Sequence, residues 1–113
     1  MYEKLPDNFF TKVHEIVKLI PPGRVTTYGA IAHYIGLKKS ARMVGWALNQ
    51  TKHNKDIPAH RVVNRQGLLT GKQHFTSNAS MEQLLQQEGI KIKNNQVQDL
   101  QAIFWTPEEL EIE

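Results

Sequence analysis

Arg42 stands in the first turn of an apolar-periodic stretch that Ser40 can cap, among the small residues Ala41, Gly45 and Ala47. A planar cation on a helix whose backbone can come close to its partner suits a nucleic-acid groove. Ser40 and the helix N-terminus can add donors to a phosphate. Plainer roles fit the same residues: Arg42 as a solvated surface arginine, and Gly45 as a point of close packing between helices. Competing chemistries are few. The 113 residues include no cysteine, which excludes disulfide scaffolds, thiolate zinc sites, iron–sulfur clusters and a cysteine nucleophile. His14, His33, His53, His60 and His74 lack metal-ligand spacing backed by acids, so neither a metal nor any other cofactor is expected. There is no phosphate-binding glycine loop and no paired-carboxylate site. Trp46 and Trp105 read more readily as packing residues than as base-stacking platforms.

Charge supports the groove reading. The chain carries 14 Lys and Arg against 11 Asp and Glu, a net +3. From Arg24 to Phe75 nine basic residues accompany the single acid Asp56, a net +8, and the remainder holds five basic and ten acidic residues, a net −5. A domain divided in this way has one face suited to a polyanion, and nucleic acid is the first partner to consider. The length and the 40% hydrophobic content fit one small domain. No apolar run approaches the roughly 20 residues of a membrane span, and the start, Met1 to Pro6, has no signal-peptide core. The expectation is a soluble protein, cytoplasmic or otherwise intracellular, without membrane association.

The elements that must carry these residues are mostly helical. Asp7 can cap a first helix through Phe9, Phe10, Val13, Ile16, Val17 and Ile20, stopped by Pro21-Pro22-Gly23. Thr27 can cap a second through Tyr28, Ile31, Ala32 and Ile35, with Gly36 placed for a left-handed turn. Ser40 caps a third from Ala41 to about Leu48, completing a helix-turn-helix pattern. Pro58 biases Ile57 toward an extended entry to Val62-Val63, and residues 64–78 read as a long loop with glycines at 67 and 71. Ser80 can cap a last helix through Met81, Leu84 and Leu85, closed by Gly89. The tail should pack Leu100, Ile103, Phe104 and Trp105 and then fray at its acidic end.

Pro58-Ala59-His60-Arg61-Val62-Val63 is the most distinctive string, and it resembles the active-site segment of the O6-alkylguanine-DNA alkyltransferases. Pro22-Gly23-Arg24-Val25-Thr26-Thr27-Tyr28-Gly29-Ala30-Ile31-Ala32 resembles that family's lead-in and first helix. Ala41-Arg42-Met43-Val44-Gly45-Trp46-Ala47-Leu48 resembles its recognition helix, and Ser80 to Gly89 its final helix. The resemblance covers about residues 8 to 93 and implies one winged-helix-like, mostly α domain spanning 1–113, with residues 94–113 as a packing tail and the family's separate N-terminal domain missing. The departure is Ala59, which occupies the position of the cysteine that accepts the alkyl group. A methyl side chain has no lone pair with which to attack carbon, and the chain has no other thiol. In this the sequence is similar to the alkyltransferase-like proteins, which bind O6-alkylguanine in DNA without repairing it and direct the lesion to nucleotide excision repair. The resemblance thus implies a non-enzyme, and nothing in the sequence demands more than a monomer.

It also implies roles residue by residue. Tyr28 would rotate the phosphate 3′ of the target, and Arg42 would enter the stack and fill the gap left by the extruded nucleotide. Ala41, Met43, Gly45, Trp46 and Asn49 would lie against the minor groove, whose edges carry little sequence information. Arg65 falls near a phosphate-contacting position. The lesion pocket would be made by Tyr28, Ala59, a wall at Val62, and Lys72 stacked on the base by a cation–π contact. Ala59, smaller than cysteine, should admit bulkier O6 substituents. His60 and Glu88 match the family's proton-relay pair; without a thiol that relay is idle, and structural hydrogen bonding is the favoured reading for both, as burial is for Arg61. Two further departures are Thr51, where many alkyltransferases have asparagine, and the stretch 68–77, which lacks their tyrosine-serine pair. Two other functions compete: a cysteine-to-alanine variant of an active alkyltransferase, and a helix-turn-helix regulator that reads sequence. The altered loop and Thr51 weigh against the first, and the scarcity of bidentate base readers in the small-residue helix against the second.

Overall fold

Apolar residues at helical spacing form α1 (Phe9–Lys18), which buries Phe9, Val13, Ile16 and Val17 before Pro21 and Pro22 end the segment. The computed structural model describes residues 8–36, 40–51, 56–71 and 80–111. Asp7 lies outside them, and the N-cap position is Asn8, whose side chain makes no capping bond. The next segment is β1 (Thr26–Thr27), followed directly by α2 (Tyr28–Ile35). There the Thr27 side chain accepts from the Ala30 N–H at 3.0 Å, and Gly36 closes the helix at φ +97°. The helix α3 (Ala41–Asn49) starts after Ser40, which corrects the expected cap: the Ser40 side chain makes no capping bond, and its carbonyl accepts from the Met43 and Val44 N–H groups.

A 3-10 turn (Ala59–Arg61) leads into β2 (Val62–Val63), which pairs with β1 in parallel, Thr26 opposite Val62 and Thr27 opposite Val63. This short pair divides the interior because successive strand residues face opposite ways. Val62 joins Phe9, Val13, Ile31, Val44, Leu48 and Trp105 in a cluster under α1, α2 and α3. Val63 joins Val25, Leu69, Met81, Leu85 and Val97 in a second one. The helix α4 (Met81–Gln87) begins with a reciprocal box in which the Ser80 hydroxyl accepts from the Gln83 N–H and the Gln83 side chain from the Ser80 N–H. Gly89 follows its end at φ +88°.

Outside these elements the structure departs from expectation in three ways. First, α4 is not the last helix. An antiparallel hairpin of β3 (Ile92–Lys93) and β4 (Gln96–Val97) turns through Asn94 and Asn95, both at positive φ, and α5 (Leu100–Ile103) follows it. Second, the early part of the 64–78 stretch is tied down. The Asn64 side chain accepts from the Gln66 and Leu68 N–H groups, Leu68 bridges Gln96, and Leu69 is wholly buried. Third, the acidic end does not fray before Glu111. It coils into a 3-10 helix (Pro107–Glu111), and Glu109 pairs with Arg24 at 3.0 Å. The expected tail packing is present: Trp105 is 2% exposed and its N–H donates to the Val25 carbonyl at 2.7 Å.

Candidate nucleic-acid interface

The helical period of α3 places Val44, Ala47 and Leu48 in the core and leaves Ala41, Arg42, Trp46 and Asn49 exposed on one stripe with half-buried Gly45. Among the described residues Arg42 has no ion-pair partner, and Trp46 is 55% exposed. A Cβ at Gly45 would meet nothing within 4 Å, so the glycine does not serve helix packing and its open side belongs to the stripe. Met43, expected on the same surface, sits on the flank and packs against the first cluster. From the other side α3 is held by His14, whose Nε2 lies 2.9 Å from the Ala47 carbonyl.

The stripe forms one wall of a cleft of about 450 Å3, lined by Tyr28, Ala41, Arg42, Gly45, Trp46, Asn49, Thr70 and Gly71 together with Leu48. Thr27 starts α2 at the end of β1 and so sets Tyr28 in its first turn, facing this cleft. Burial pushes the Tyr28 phenol above its ordinary range, a hydrogen bond with Thr70 opposes the shift, and the phenol remains protonated at neutral pH. Neither Thr70 nor Gly71 stands out in the sequence beyond a loop glycine, yet both are in the cleft. Lys72 lies outside the described residues. Val62, expected as a wall, is fully buried in the first cluster, so its side chain faces core and not cleft. Arg65 is exposed on the lip of a separate cleft with Gln66, Gln96 and Asp99, away from the α3 stripe.

Ala59 opens the 3-10 turn, half-buried against the first cluster, and the two residues after it enter a charge cluster. Glu88, just past α4, accepts from Arg61 Nη2 at 2.7 Å and Nε at 3.1 Å, and from the Gly23 N–H at 3.2 Å. His60 Nε2 lies 2.8 Å from the same carboxylate, and Arg61 Nη1 donates to the Ile20 carbonyl at 2.8 Å. Burial alone would raise the Glu88 carboxyl; the bonds from Arg61, His60 and Gly23 outweigh it and hold the group below its ordinary range. Burial and the Arg61 charge push the His60 imidazole down, against the pull of Glu88, which leaves it neutral at pH 7. The cluster ties the turn bearing Ala59 to α4 and to the link between α1 and β1. Nothing nucleophilic occupies its open end, since position 59 carries a methyl group. Among the described residues no group of three or more acids and histidines could hold a metal, and no helix is long and apolar enough to cross a membrane.

Known proteins are similar to this chain in sequence and fold. The family described as 6-O-methylguanine DNA methyltransferase, DNA binding domain, matches residues 8–90. Alkyltransferase-like protein 1 of Schizosaccharomyces pombe is 33% identical over 89% of this chain and 97% of its own. The DNA base-flipping protein of Escherichia coli is 38% identical over 91% of this chain and 84% of its own. The crystal structure of S. pombe Atl1 in complex with damaged DNA containing O6-carboxymethylguanine superposes with a TM-score of 0.76 at 32% identity, covering 92% of this chain and all of that one. Mycobacterium tuberculosis OGT in complex with DNA gives a TM-score of 0.57 at 31% identity over 75% of this chain and 51% of its own. With the helix-turn-helix, the tyrosine-lined cleft and the clasped turn all present, the chain belongs to the 6-O-methylguanine DNA methyltransferase DNA-binding family and, within it, to the alkyltransferase-like, DNA base-flipping proteins.

Proposed function

We propose that this protein binds O6-alkylguanine in duplex DNA, turns the damaged nucleotide out of the helix and holds it without removing the alkyl group. The observation that carries this reading is the intact clasp of His60, Arg61 and Glu88 beside a methyl group at Ala59. A site built for alkyl transfer needs a nucleophile with a lone pair, and here the scaffold persists without one. Holding is what the remaining chemistry can do.

The exposed stripe of α3 lies in the minor groove, where Gly45 lets the helix backbone come close and Trp46 and Asn49 meet the groove walls. Arg42 enters the base stack, and its planar cation offsets part of the few kcal/mol of unstacking that flipping costs. Tyr28 takes the phosphate 3′ of the target, and Arg65 meets the backbone farther out. The displaced base rests near Ala59, where the small side chain leaves room for bulky O6 groups, and Lys72, next in sequence to Gly71, stacks on it. His60, Arg61 and Glu88 keep the turn in place and move no proton. The protein acts as a cytoplasmic monomer, and the held complex is the signal that nucleotide excision repair proteins receive.

Titrating an O6-methylguanine duplex and its matched guanine duplex at one salt concentration tests the reading. Tighter binding to the lesion is expected, and equal affinities refute it. Incubation with DNA carrying a radiolabelled methyl group should leave the protein unlabelled; label on any side chain overturns the non-catalytic assignment.

A further inference from the structure

Trp46 is not the packing residue that its type suggests. Of the two tryptophans in the chain, Trp105 is 2% exposed and sealed into the first cluster, whereas Trp46 is 55% exposed. It follows Arg42 by one helical turn on the open stripe of α3 and lines the same cleft as Tyr28, Asn49 and Gly71. Among the described residues none bonds its Nε1–H and no aromatic ring stacks on it. A large apolar ring with an unused polar tip, set in a concave surface, suits a contact that is part dry and part hydrogen-bonded. Its neighbours Ala41 and Gly45 are too small to reach past it. With Arg42 committed to the base stack, Trp46 and Asn49 are left to meet the base edges.

The minor groove allows one clear distinction. A·T and T·A pairs present only acceptors there, adenine N3 and thymine O2, while a G·C pair adds the guanine N2 amino donor. The Asn49 amide can donate or accept and so can turn to suit either pair, but an indole donates only. Facing the amino group, the Nε1–H is desolvated without an acceptor and its bond is lost. Four residues along a helix span about 6 Å, close to two base-pair steps of about 3.4 Å each. We propose that Trp46 is a specificity-determining residue: its Nε1–H donates to a minor-groove acceptor within about two base pairs of the flipped nucleotide, so that lesions flanked there by A·T are held more tightly than lesions flanked by G·C. The inference rests on the proposed function, in which α3 lies in the minor groove with Arg42 in the stack. It gives a sensor that reads damage a dependence on the sequence around the damage.

The whole chain is titrated with O6-methylguanine duplexes that differ only in the pairs one and two steps from the lesion, on each side in turn. These pairs are A·T, G·C, or inosine·C, which is G·C without the N2 amino group. On one side the A·T duplex should bind roughly threefold to tenfold more tightly than the G·C duplex, about the worth of one hydrogen bond, and inosine·C should group with A·T. Trp46→Phe keeps an aromatic ring but removes the donor, and it should bind the three duplexes alike. Acrylamide quenching follows the ring itself: Trp105 is buried, so the accessible fluorescence belongs to Trp46, and the lesion duplex should shield it. Four results would each overturn this inference while a preference for the lesion over matched guanine still stands: equal wild-type affinities for the three duplexes, inosine·C grouped with G·C, the wild-type preference retained in Trp46→Phe, or an indole still quenched in the complex. A wild-type chain that binds lesion and guanine duplexes alike overturns the proposed function and this inference together.

Discussion

Glu88→Gln keeps the size of the side chain and one acceptor oxygen but removes the charge from the clasp. In the native protein the carboxylate receives Arg61 at 2.7 Å and His60 at 2.8 Å, and the three side chains are only 12–15% exposed. Losing one partner of a buried pair strands the other. Arg61 would keep the Ile20 carbonyl at 2.8 Å but no counter-charge. Such losses cost about 3–5 kcal/mol when burial is complete; the remaining exposure and the surviving acceptor reduce this to about 2–3 kcal/mol. For a domain of this size that is a fall in melting temperature of roughly 6–15 °C, read by calorimetry at pH 7.5. The pH dependence gives an independent check. Both His60 and Glu88 have folded pKa values below their ordinary ones of 6.5 and 4.5, so in each case the unfolded chain binds the proton more readily. Stability is full above pH 6.5, declines as His60 titrates below that value, and declines again below pH 4.5 as Glu88 does. In the variant the lower step should vanish. The upper one should grow, because the imidazolium has lost the carboxylate that supported it. A stability change under about 1 kcal/mol, or a wild-type profile flat from pH 7 to 4, would refute the account of the clasp.

Arg42→Ala should weaken lesion binding roughly tenfold or more and abolish the 2-aminopurine signal. It should shift stability by less than about 0.5 kcal/mol, since the side chain is exposed and unpaired among the described residues; unchanged affinity and fluorescence would remove its intercalating role. Gly45→Ala should act in opposite directions on folding and function. A methyl group that meets nothing within 4 Å stabilises a helix interior by about 0.5–1 kcal/mol, yet it holds the backbone away from a groove. Thermal melts and the duplex titration report the two effects separately, and unweakened DNA binding would mean that α3 does not enter the groove at this position.

Local signals in the chain led correctly to the first four α-helices and to several of their ends. Thr27 before Tyr28, Gly36 after Ile35, and Ser80 before Met81 act through bonds to residues a few positions away, as the Thr27 bond to Ala30 illustrates. Where a preference was local but its geometry was not, the reading slipped. Ser40 offers a hydroxyl of the right type, yet its φ of −110° and ψ of 31° leave the side chain out of the capping position. The Asn94-Asn95 turn was legible in principle, as a residue pair that tolerates positive φ, but the strands it joins are two residues each and leave no alternation to detect. The acidic end looked like a solvated tail because its partner, Arg24, is 85 positions away in the chain.

The absence of any thiol is a property of composition, and no folding could alter it, so the sequence by itself determined that cysteine-based alkyl transfer is chemically closed to this protein. It likewise determined the exposed stripe on α3, because a helix converts spacing into a face by its fixed period. Only the tertiary structure decided which residues share a site. Glu88 meets His60 and Arg61 from 28 and 27 positions away and Gly23 from 65, and Thr70 and Gly71 line the same cleft as Tyr28. It also turned Val62 inward to the core and set Arg65 apart from the stripe. These arrangements depend on how the two clusters pack on either side of β2; burial then keeps His60 neutral, while the bonds from Arg61, His60 and Gly23 keep Glu88 ionised against it.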